Sequence, residues 1–166
     1  MAHMRRGGQV LGICGGFQML GRRIADPGGV EGAAGSVTGL GLIEVETVLT
    51  GDKTLCEVSG TSSAGGTAFT GYEMHVGRTH GADTERPMLV FSDGRGDGAV
   101  DASGRVAGCY VHGLFATEAQ RAHWLQRIGG RASGLVYDVR IDDTLDALAA
   151  HLERHVRVDR LLQIAR

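Results

Sequence analysis

Apolar and polar positions along the chain predict a strand, a helix, several further strands and then helices. Residues 9–13 form a short apolar run typical of a buried strand. In residues 42–49, LIEVETVL, apolar positions alternate with polar Glu44 and Glu46, which predicts a half-exposed strand. The buried side of that strand would consist of Ile43, Val45, Thr47 and Leu49. GYEMHVGRT alternates in the same way, MLVF predicts a short buried strand, and GAVDASGRVAGCYVH predicts a hairpin that turns at residues 101–104.

Helical spacing appears after residue 14 and again near the end of the chain. Phe17, Leu20 and Ile24 share the spacing of one helix face. ATEAQRAHWLQRIGG predicts a second helix, which begins with a capping box of Thr117 and Gln120 and ends at residues 129–130.

The C-terminal region predicts two further helices, and no recognisable linker precedes them. The first helix would carry an apolar stripe of Leu145, Leu148, Leu152 and Val156, with Asp142 or Asp143 as its N-cap. The second is short and carries Leu161, Leu162 and Ile164. Residues 25–41 and 60–67 are rich in turn formers and predict loops. Because no internal repeat or domain boundary is visible, we expect a single α/β domain over residues 1–166, with a mixed sheet and helices on its faces.

Composition narrows the classes of function. The net charge is −2 and aromatic residues make up 5% of the chain, so neither a nucleic acid nor a membrane surface is an expected partner. No run of about 18 apolar residues predicts a membrane span, and the first residues lack a signal-peptide pattern. The three cysteines form no C-x-x-C pair, which argues against a disulfide framework and favours a reducing cytoplasm.

The strongest chemical motif is GICGG at residues 12–16, between the first predicted strand and helix. It has the form of a nucleophile elbow, in which small neighbours permit a strained turn that presents a side chain to a cleft. Cys14 would be the nucleophile, and the N–H of Gly15 could donate to an oxyanion. A buried structural cysteine beside a tight turn fits the same residues, and the motif alone leaves the two readings about even.

A thiol nucleophile needs a base, and two histidines lie at strand ends. His112 ends an apolar strand and is followed by Gly113, which lets the backbone turn away, so we favour it over His75. A metal site is not expected, because no pair of ligands has a zinc-motif spacing. Glu73, beside His75, is interpreted as an orienting group; both are secondary candidates. GDKT resembles the end of a phosphate-binding loop, but the full motif is absent.

Several stretches in a fixed order carry a family resemblance. They are GGQVLGICGGFQMLGRRIADPGGVEG, GLGLIEVET, GYEMHVGRT, DGAV, GCYVHGLF and LDALAAHLERHVRVDRLL. Together they resemble the glutamine amidotransferase domain of cobyric acid synthases, in the corrinoid branch of the triad-type amidotransferases. Cobyrinic acid a,c-diamide synthases and a cell-wall lipid II amidating enzyme share GICGG but lack this combination.

The resemblance implies a flavodoxin-like α/β fold of the class I amidotransferases, with a mixed, mostly parallel sheet and helices on both faces. Cys14 would attack the side-chain amide of glutamine to form a glutamyl thioester, with His112 as base and acid. Gly15, Gly16 and Gln18 would bind the substrate. The domain would need no cofactor, since ATP and Mg²⁺ would serve a partner synthetase domain or chain. That partner would use the ammonia to amidate corrin carboxylates.

Two departures from the family qualify this expectation. Triad-type members usually carry Glu two residues after the histidine, where this chain has Leu114. The corrinoid branch generally lacks this Glu, so the departure supports that branch and leaves the orienting group unnamed. The chain also starts just before the nucleophile strand, so it is expected to lack an upstream oxyanion loop and the synthetase domain. The alternatives are a glutaminase partner of another amide ligase and an inactive incomplete fragment.

Overall fold

The computed structural model describes residues 2–134 and 136–165, whose strands form two β-sheets. The strands are β1 Val10–Ile13, β2 Arg23–Asp26, β3 Gly35–Thr38, β4 Glu46–Ser62, β5 Ala68–His80, β6 Leu89–Phe91, β7 Gly96–Asp97, β8 Ala99–Val100, β9 Val106–Cys109 and β10 Val111–His112. The helices are α1 Ala2–Arg5, α2 Gly15–Leu20, α3 Glu118–Arg127, α4 Tyr137–His155 and α5 Val158–Ile164, with a 3₁₀ turn at Ala82–Glu85.

One residue, Tyr110, separates the two sheets along the chain. The first sheet has the order β1-β9-β8, and Ile13 of β1 lies opposite Cys109 of β9 in a parallel pair. The second sheet has the order β10-β5-β4-β2-β3, and β6 and β7 extend it from β4. In that sheet His112 of β10 lies opposite Tyr72 of β5. The chain therefore leaves one sheet and joins the other between Cys109 and Val111.

The α/β class is confirmed, but the parallel share of the sheets is smaller than expected. Only β1 with β9 and β2 with β4 pair in parallel among the described strands. The other pairs are antiparallel, including the long pair of β4 and β5. Strands joined by a short turn pair antiparallel, whereas a parallel pair needs a crossover connection. The turn at residues 63–67 between β4 and β5 is of the short kind.

Helices pack on both sides of the β9–β10 path, as predicted. Tyr110 contributes to a cluster with Phe17 of α2. Cys109 and Val111 contribute to another cluster, against which Trp124 of α3 packs. Alternation of side chains along a strand accounts for this division, because successive residues point to opposite faces. Helix α2 is thereby fixed on the face that Tyr110 presents.

The alternating burial predicted for residues 42–49 is confirmed. Ile43, Val45, Thr47 and Leu49 are buried, and Glu44 and Glu46 are exposed. Regular strand geometry, however, begins only at Glu46 and continues to Ser62, so the loop predicted at residues 60–67 is confined to residues 63–67.

The helix after Cys14 is shorter than the spacing of its apolar residues suggests. It ends at Leu20, and Ile24 lies instead in β2, opposite Thr47 of β4 and Val37 of β3. Gly21 is extended, and a Cβ there would lie 2.6 Å from the carbonyl oxygen of Val45. The chain therefore begins to pair as a strand shortly after α2 ends. Parts of the predicted loop at residues 25–41 belong to β2 and β3.

Helix α3 begins and ends as predicted, with half of the expected capping box. The side chain of Thr117 accepts a hydrogen bond from the backbone N–H of Gln120. The Gln120 side chain does not return this bond; it is fully buried and donates to Ser62 and to the carbonyl of Thr67. The tertiary contacts of the glutamine have replaced its local capping role.

Helix α4 begins before either predicted cap. Its first residue is Tyr137, and Val136 at the N-cap makes no side-chain capping bond, so the assignment of Asp142 or Asp143 was wrong. The predicted stripe is present on α4, but Leu145, Leu148 and Leu152 are all exposed.

Candidate active site

Cys14 sits at a strained turn between β1 and α2. Its φ of 54° is the only positive φ of a non-glycine residue in the described part of the chain. Such backbone is rare for residues with a side chain and persists only where the surrounding structure enforces it. Gly12 shows why a small neighbour is required, because a Cβ there would lie 2.6 Å from the carbonyl oxygen of Gly16. The nucleophile elbow predicted from GICGG is thus present.

Hydrogen bonds fix the Cys14 backbone on both sides. Its N–H donates to the carbonyl of Cys109 at 2.8 Å, and its own carbonyl accepts from Phe17 at 2.9 Å and from Gln18 at 3.2 Å. The half-buried thiol donates to the carbonyl of Met74, with an Sγ–O distance of 3.4 Å. The sulfur therefore lies where β1, β5 and the start of α2 meet.

His112 lies three residues after Cys109, whose carbonyl accepts the N–H of Cys14. It is the last residue of β10. The ring Nε2 is buried and has no hydrogen-bond partner among the described residues. An unsatisfied buried nitrogen calls for an explanation, and a catalytic role is one that fits here. Gly113 follows with a φ of 79°, so the backbone turns away as expected.

Gly15 and Gly16 open helix α2, where backbone N–H groups have no partner within the helix. A Cβ at either position would meet nothing within 4 Å. The space beside them is open, so it could admit a ligand that accepts hydrogen bonds from the backbone.

Gln18 lies one turn into α2 and is buried. Its amide nitrogen donates to the carbonyl of Val76 at 3.2 Å and to the hydroxyl of Tyr110 at 3.3 Å. This side chain joins α2 to β5 and to Tyr110, so in this structure its amide nitrogen contacts protein groups.

Glu73 and His75 flank Met74, the residue whose carbonyl meets the Cys14 thiol. The carboxylate of Glu73 lies 3.3 Å from Nε2 of His75 and accepts from Arg95 at 3.2 Å. The His75 ring stacks on Tyr110, with 3.9 Å between the centroids. The structure thus places both secondary candidates beside the elbow, in a network of polar and aromatic side chains.

Sequence reasoning missed Asp97 and Tyr110. Asp97 is buried, and its carboxylate accepts the backbone N–H of Tyr110 at 3.0 Å. Burial, with a smaller contribution from the nearby Glu73 carboxylate, raises the pKa of Asp97 to about 6. The Tyr110 hydroxyl lies 2.5 Å from the hydroxyl of Thr79. The DGAV stretch was the available clue, because an aspartate next to a glycine before an apolar strand marks a specific turn.

A cavity of about 250 Å³ adjoins these residues. Its lining includes Phe17, Glu73, His75, Asp97 and Tyr110. Cys109 lies on the other face of the strand and is buried in the core, and burial raises the pKa of its thiol. Within residues 2–134 and 136–165, no group of three or more potential ligand side chains is arranged to hold a metal ion. No helix in that part of the chain has the length and apolar character to cross a bilayer.

Comparison with known proteins places this geometry in a family. Residues 1–120 match the CobB/CobQ-like glutamine amidotransferase domain. This chain belongs to that family. The match covers the elbow at Cys14, the strand that carries Glu73 and His75, and the segment that ends at His112.

Similar proteins of this amidotransferase family carry one name. The chain is 62% identical over 165 residues to cobyric acid synthase of Bradyrhizobium sp. strain BTAi1, covering 99% of this chain and 34% of the relative. It is 60% identical over 164 residues to cobyric acid synthase of Methylobacterium nodulans, with 99% and 34% covered. For cobyric acid synthase of Rhodobacter capsulatus the identity is 54% over 165 residues, again with 99% and 34% covered. The chain therefore spans about a third of the length of these relatives.

Proposed function

We propose that this chain is the glutamine-hydrolysing domain of a cobyric acid synthase. The observation that carries the proposal is the position of Cys14, held with a φ of 54° between β1 and α2 by its bond to Cys109. A strained cysteine at a strand-to-helix turn, with a histidine on the adjoining strand path, suits acyl transfer through a thioester. The name shared by the relatives described above favours a corrin acceptor over cell-wall lipid.

In the proposed reaction the Cys14 sulfur attacks the side-chain amide carbon of glutamine. His112 accepts the thiol proton and gives it to the departing amine, so that ammonia leaves and a glutamyl thioester remains. The N–H of Gly15 donates to the oxyanion that forms during the attack. Water then attacks the thioester, His112 takes its proton, and glutamate departs as the proton returns to Cys14. Gly16 and Gln18 would bind the substrate, and Glu73 with His75 would orient the groups around it.

The ammonia would pass to an ATP-dependent synthetase domain or chain. That partner would use ATP and Mg²⁺ to activate corrin side-chain carboxylates and amidate them on the path to adenosylcobalamin. The amidotransferase domain itself would need no cofactor. A cytoplasmic location fits this role and the three free cysteines.

Covalent labelling tests the proposal directly. The folded chain is treated with a diazo-ketone analogue of glutamine, and the adduct is measured by intact-mass spectrometry and located by peptide mapping. We expect one adduct on Cys14 and none on Cys56 or Cys109, with free glutamine slowing the labelling. Cys14→Ser is the control and should give no adduct. A folded sample that stays unlabelled, or one labelled only at Cys56, would contradict the proposal.

A second measurement addresses catalysis. Release of ammonia from glutamine should occur in the wild-type chain and should stop in Cys14→Ser. Labelling without ammonia release would mean that the glutamine pocket is formed but that hydrolysis needs the partner.

A further inference from the structure

We propose that Asp97 is a positioning residue for Cys14 and His112, and that it acts through the one peptide group that joins Cys109 to Tyr110. This inference rests on the proposed function, since it deepens the account of the same site. Asp97 touches neither the thiol nor the imidazole in any contact of the described residues, so its effect would be transmitted through the backbone.

Both ends of that peptide group are hydrogen-bonded. Its carbonyl, on Cys109, accepts the N–H of Cys14 at 2.8 Å. Its N–H, on Tyr110, donates to Oδ2 of Asp97 at 3.0 Å. A carboxylate that accepts from a peptide N–H polarises the group and makes its carbonyl a better acceptor. The backbone of the nucleophile is thus one peptide group away from Asp97.

The same peptide lies where the chain changes sheets. Cys109 ends the strand paired with β1, and Val111 begins the strand paired with β5. The Tyr110 N–H is therefore served by a side chain, and without Asp97 it would be a buried donor that lacks this partner. His112 follows Tyr110 by two residues, at the end of the strand paired with β5.

The charge of Asp97 is the feature that a purely structural role leaves unexplained. The side chain is 6% exposed and has no ion-pair partner among the described residues. Its carboxylate interacts electrostatically with Glu73 and His75 of β5, and with the Tyr110 phenol and the Cys109 thiol. Arg78 lines the same cavity. Burying a charge without a cation is unfavourable, so an asparagine would accept the same N–H at lower cost. A carboxylate, however, forms the stronger, charge-assisted bond.

Replacement by the neutral isostere separates the two roles. Asp97→Asn keeps an acceptor of the same shape, so it should fold, with a melting temperature at pH 8 equal to or above that of the wild type. The kcat for glutamine hydrolysis should fall roughly ten- to a hundred-fold, because the reacting groups are displaced slightly, while KM stays unchanged. Asp97→Ala should lose both activity and thermal stability.

The matched control is Asp101→Asn. Asp101 accepts the backbone N–H groups of Arg105 and Val106 in the hairpin turn, at 2.8 Å each, and lies outside the proposed site. Its kcat should equal that of the wild type. Wild-type kcat in Asp97→Asn would overturn the inference and leave the proposed function intact.

Two measurements without turnover keep the inference separate from the function. In ¹⁵N NMR spectra the Tyr110 amide proton should titrate with a midpoint near pH 6 in the wild type and should not titrate in Asp97→Asn. The rate of Cys14 alkylation by iodoacetamide should differ between the two proteins. If the wild type neither takes up the glutamine analogue at Cys14 nor releases ammonia, the proposed function fails, and these two results decide the inference. An amide that does not titrate, or equal alkylation rates, would overturn it.

Discussion

Two helices of this chain differ in what holds them in place. Helix α2 has six residues and no side-chain cap, and it follows a strained residue, yet Phe17, Gln18 and Leu20 are buried against the sheets. Helix α4 has 19 residues and a regular apolar stripe, yet its described side chains are exposed. A six-residue helix is not stable in isolation, so tertiary packing must hold α2. The helix that the sequence pattern supports less well is therefore the one whose geometry is fixed, and it begins directly after Cys14, the proposed nucleophile.

The difference between α2 and α4 predicts how strongly substitutions in each helix affect activity and stability. Changes at the buried side chains of α2 and at the residues that support them should alter activity and stability strongly, because tertiary packing holds this helix. Changes on α4 should have small effects, because its described residues bury little surface. The expected effects follow from the largest to the smallest.

Removal of the proposed nucleophile should have the largest effect. Cys14→Ser should lower the rate of ammonia release from glutamine at least about 10³-fold, since serine at this site lacks a nucleophilic thiolate. Thermal unfolding should change little, because the side chains are similar in size. Leu148→Ala, on α4, is the control for the same assay and should retain the wild-type rate. A Cys14→Ser variant with measurable turnover at wild-type level would show that another group performs the attack.

Truncation of a buried residue on α2 should cause the largest loss in the free energy of unfolding. Leu20 is 3% exposed, and Leu20→Ala should lower the free energy of unfolding by about 2–5 kcal/mol, since it leaves a cavity beneath the helix. Met19, its neighbour, is 57% exposed, and Met19→Ala should change stability by less than about 0.5 kcal/mol. Urea denaturation measures both. Equal losses in the two variants would mean that α2 is not packed as described.

Asp97 should make stability depend on pH. Burial raises its pKa from 3.8 to about 6, so the folded protein binds this proton more tightly than the unfolded chain does. The associated stability is complete below about pH 4 and is lost as the pH rises through about 6, to a total of about 3 kcal/mol. The stability of Asp97→Asn relative to the wild type should therefore rise by about that amount between pH 4 and pH 8. Denaturation across this range tests it, and a difference that does not change with pH would refute the assignment.

The local structure around Cys14 and His112 could be predicted from the sequence pattern. GICGG predicted the turn at Cys14, because the backbone segments on its two sides approach so closely that small residues are needed there. GCYVHG placed His112 at a strand end. The alternation in residues 42–49 predicted which side chains are buried. These features depend on neighbours within a few residues, and the structure contains them.

The parts that sequence reasoning missed depend on pairings distant in the chain. Ile24 matched a helix period, but pairing with β3 and β4 placed it in a strand. Asp97 accepts the N–H of Tyr110 where the chain changes sheets, and a local pattern such as DGAV marks a turn but not this crossing. Gln120 fitted a capping box, yet its contacts with Ser62 and Thr67 prevailed.

A backbone support of α2 should show an intermediate effect. Gly12 lies under the helix, and Gly12→Ala should lower the free energy of unfolding by about 1–3 kcal/mol, because the new methyl group would press on the Gly16 carbonyl. Gly16→Ala is the matched control. Its Cβ would meet nothing within 4 Å, and alanine favours the helix by about 1 kcal/mol, so this variant should be as stable as the wild type or more so. Changes of the same sign would contradict the close approach at Gly12.

The smallest effect should come from the stripe of α4. Leu148 is 51% exposed, and leucine and alanine have similar helix propensity, so Leu148→Ala should change the free energy of unfolding by less than about 0.5 kcal/mol. The same leucine-to-alanine change at Leu20 is the control, measured by urea denaturation under the same conditions. A loss at Leu148 as large as at Leu20 would remove the contrast between the two helices, because only a covered side chain leaves a cavity of that cost. A cover formed by a second copy would make the loss depend on protein concentration, whereas one formed within the chain would not.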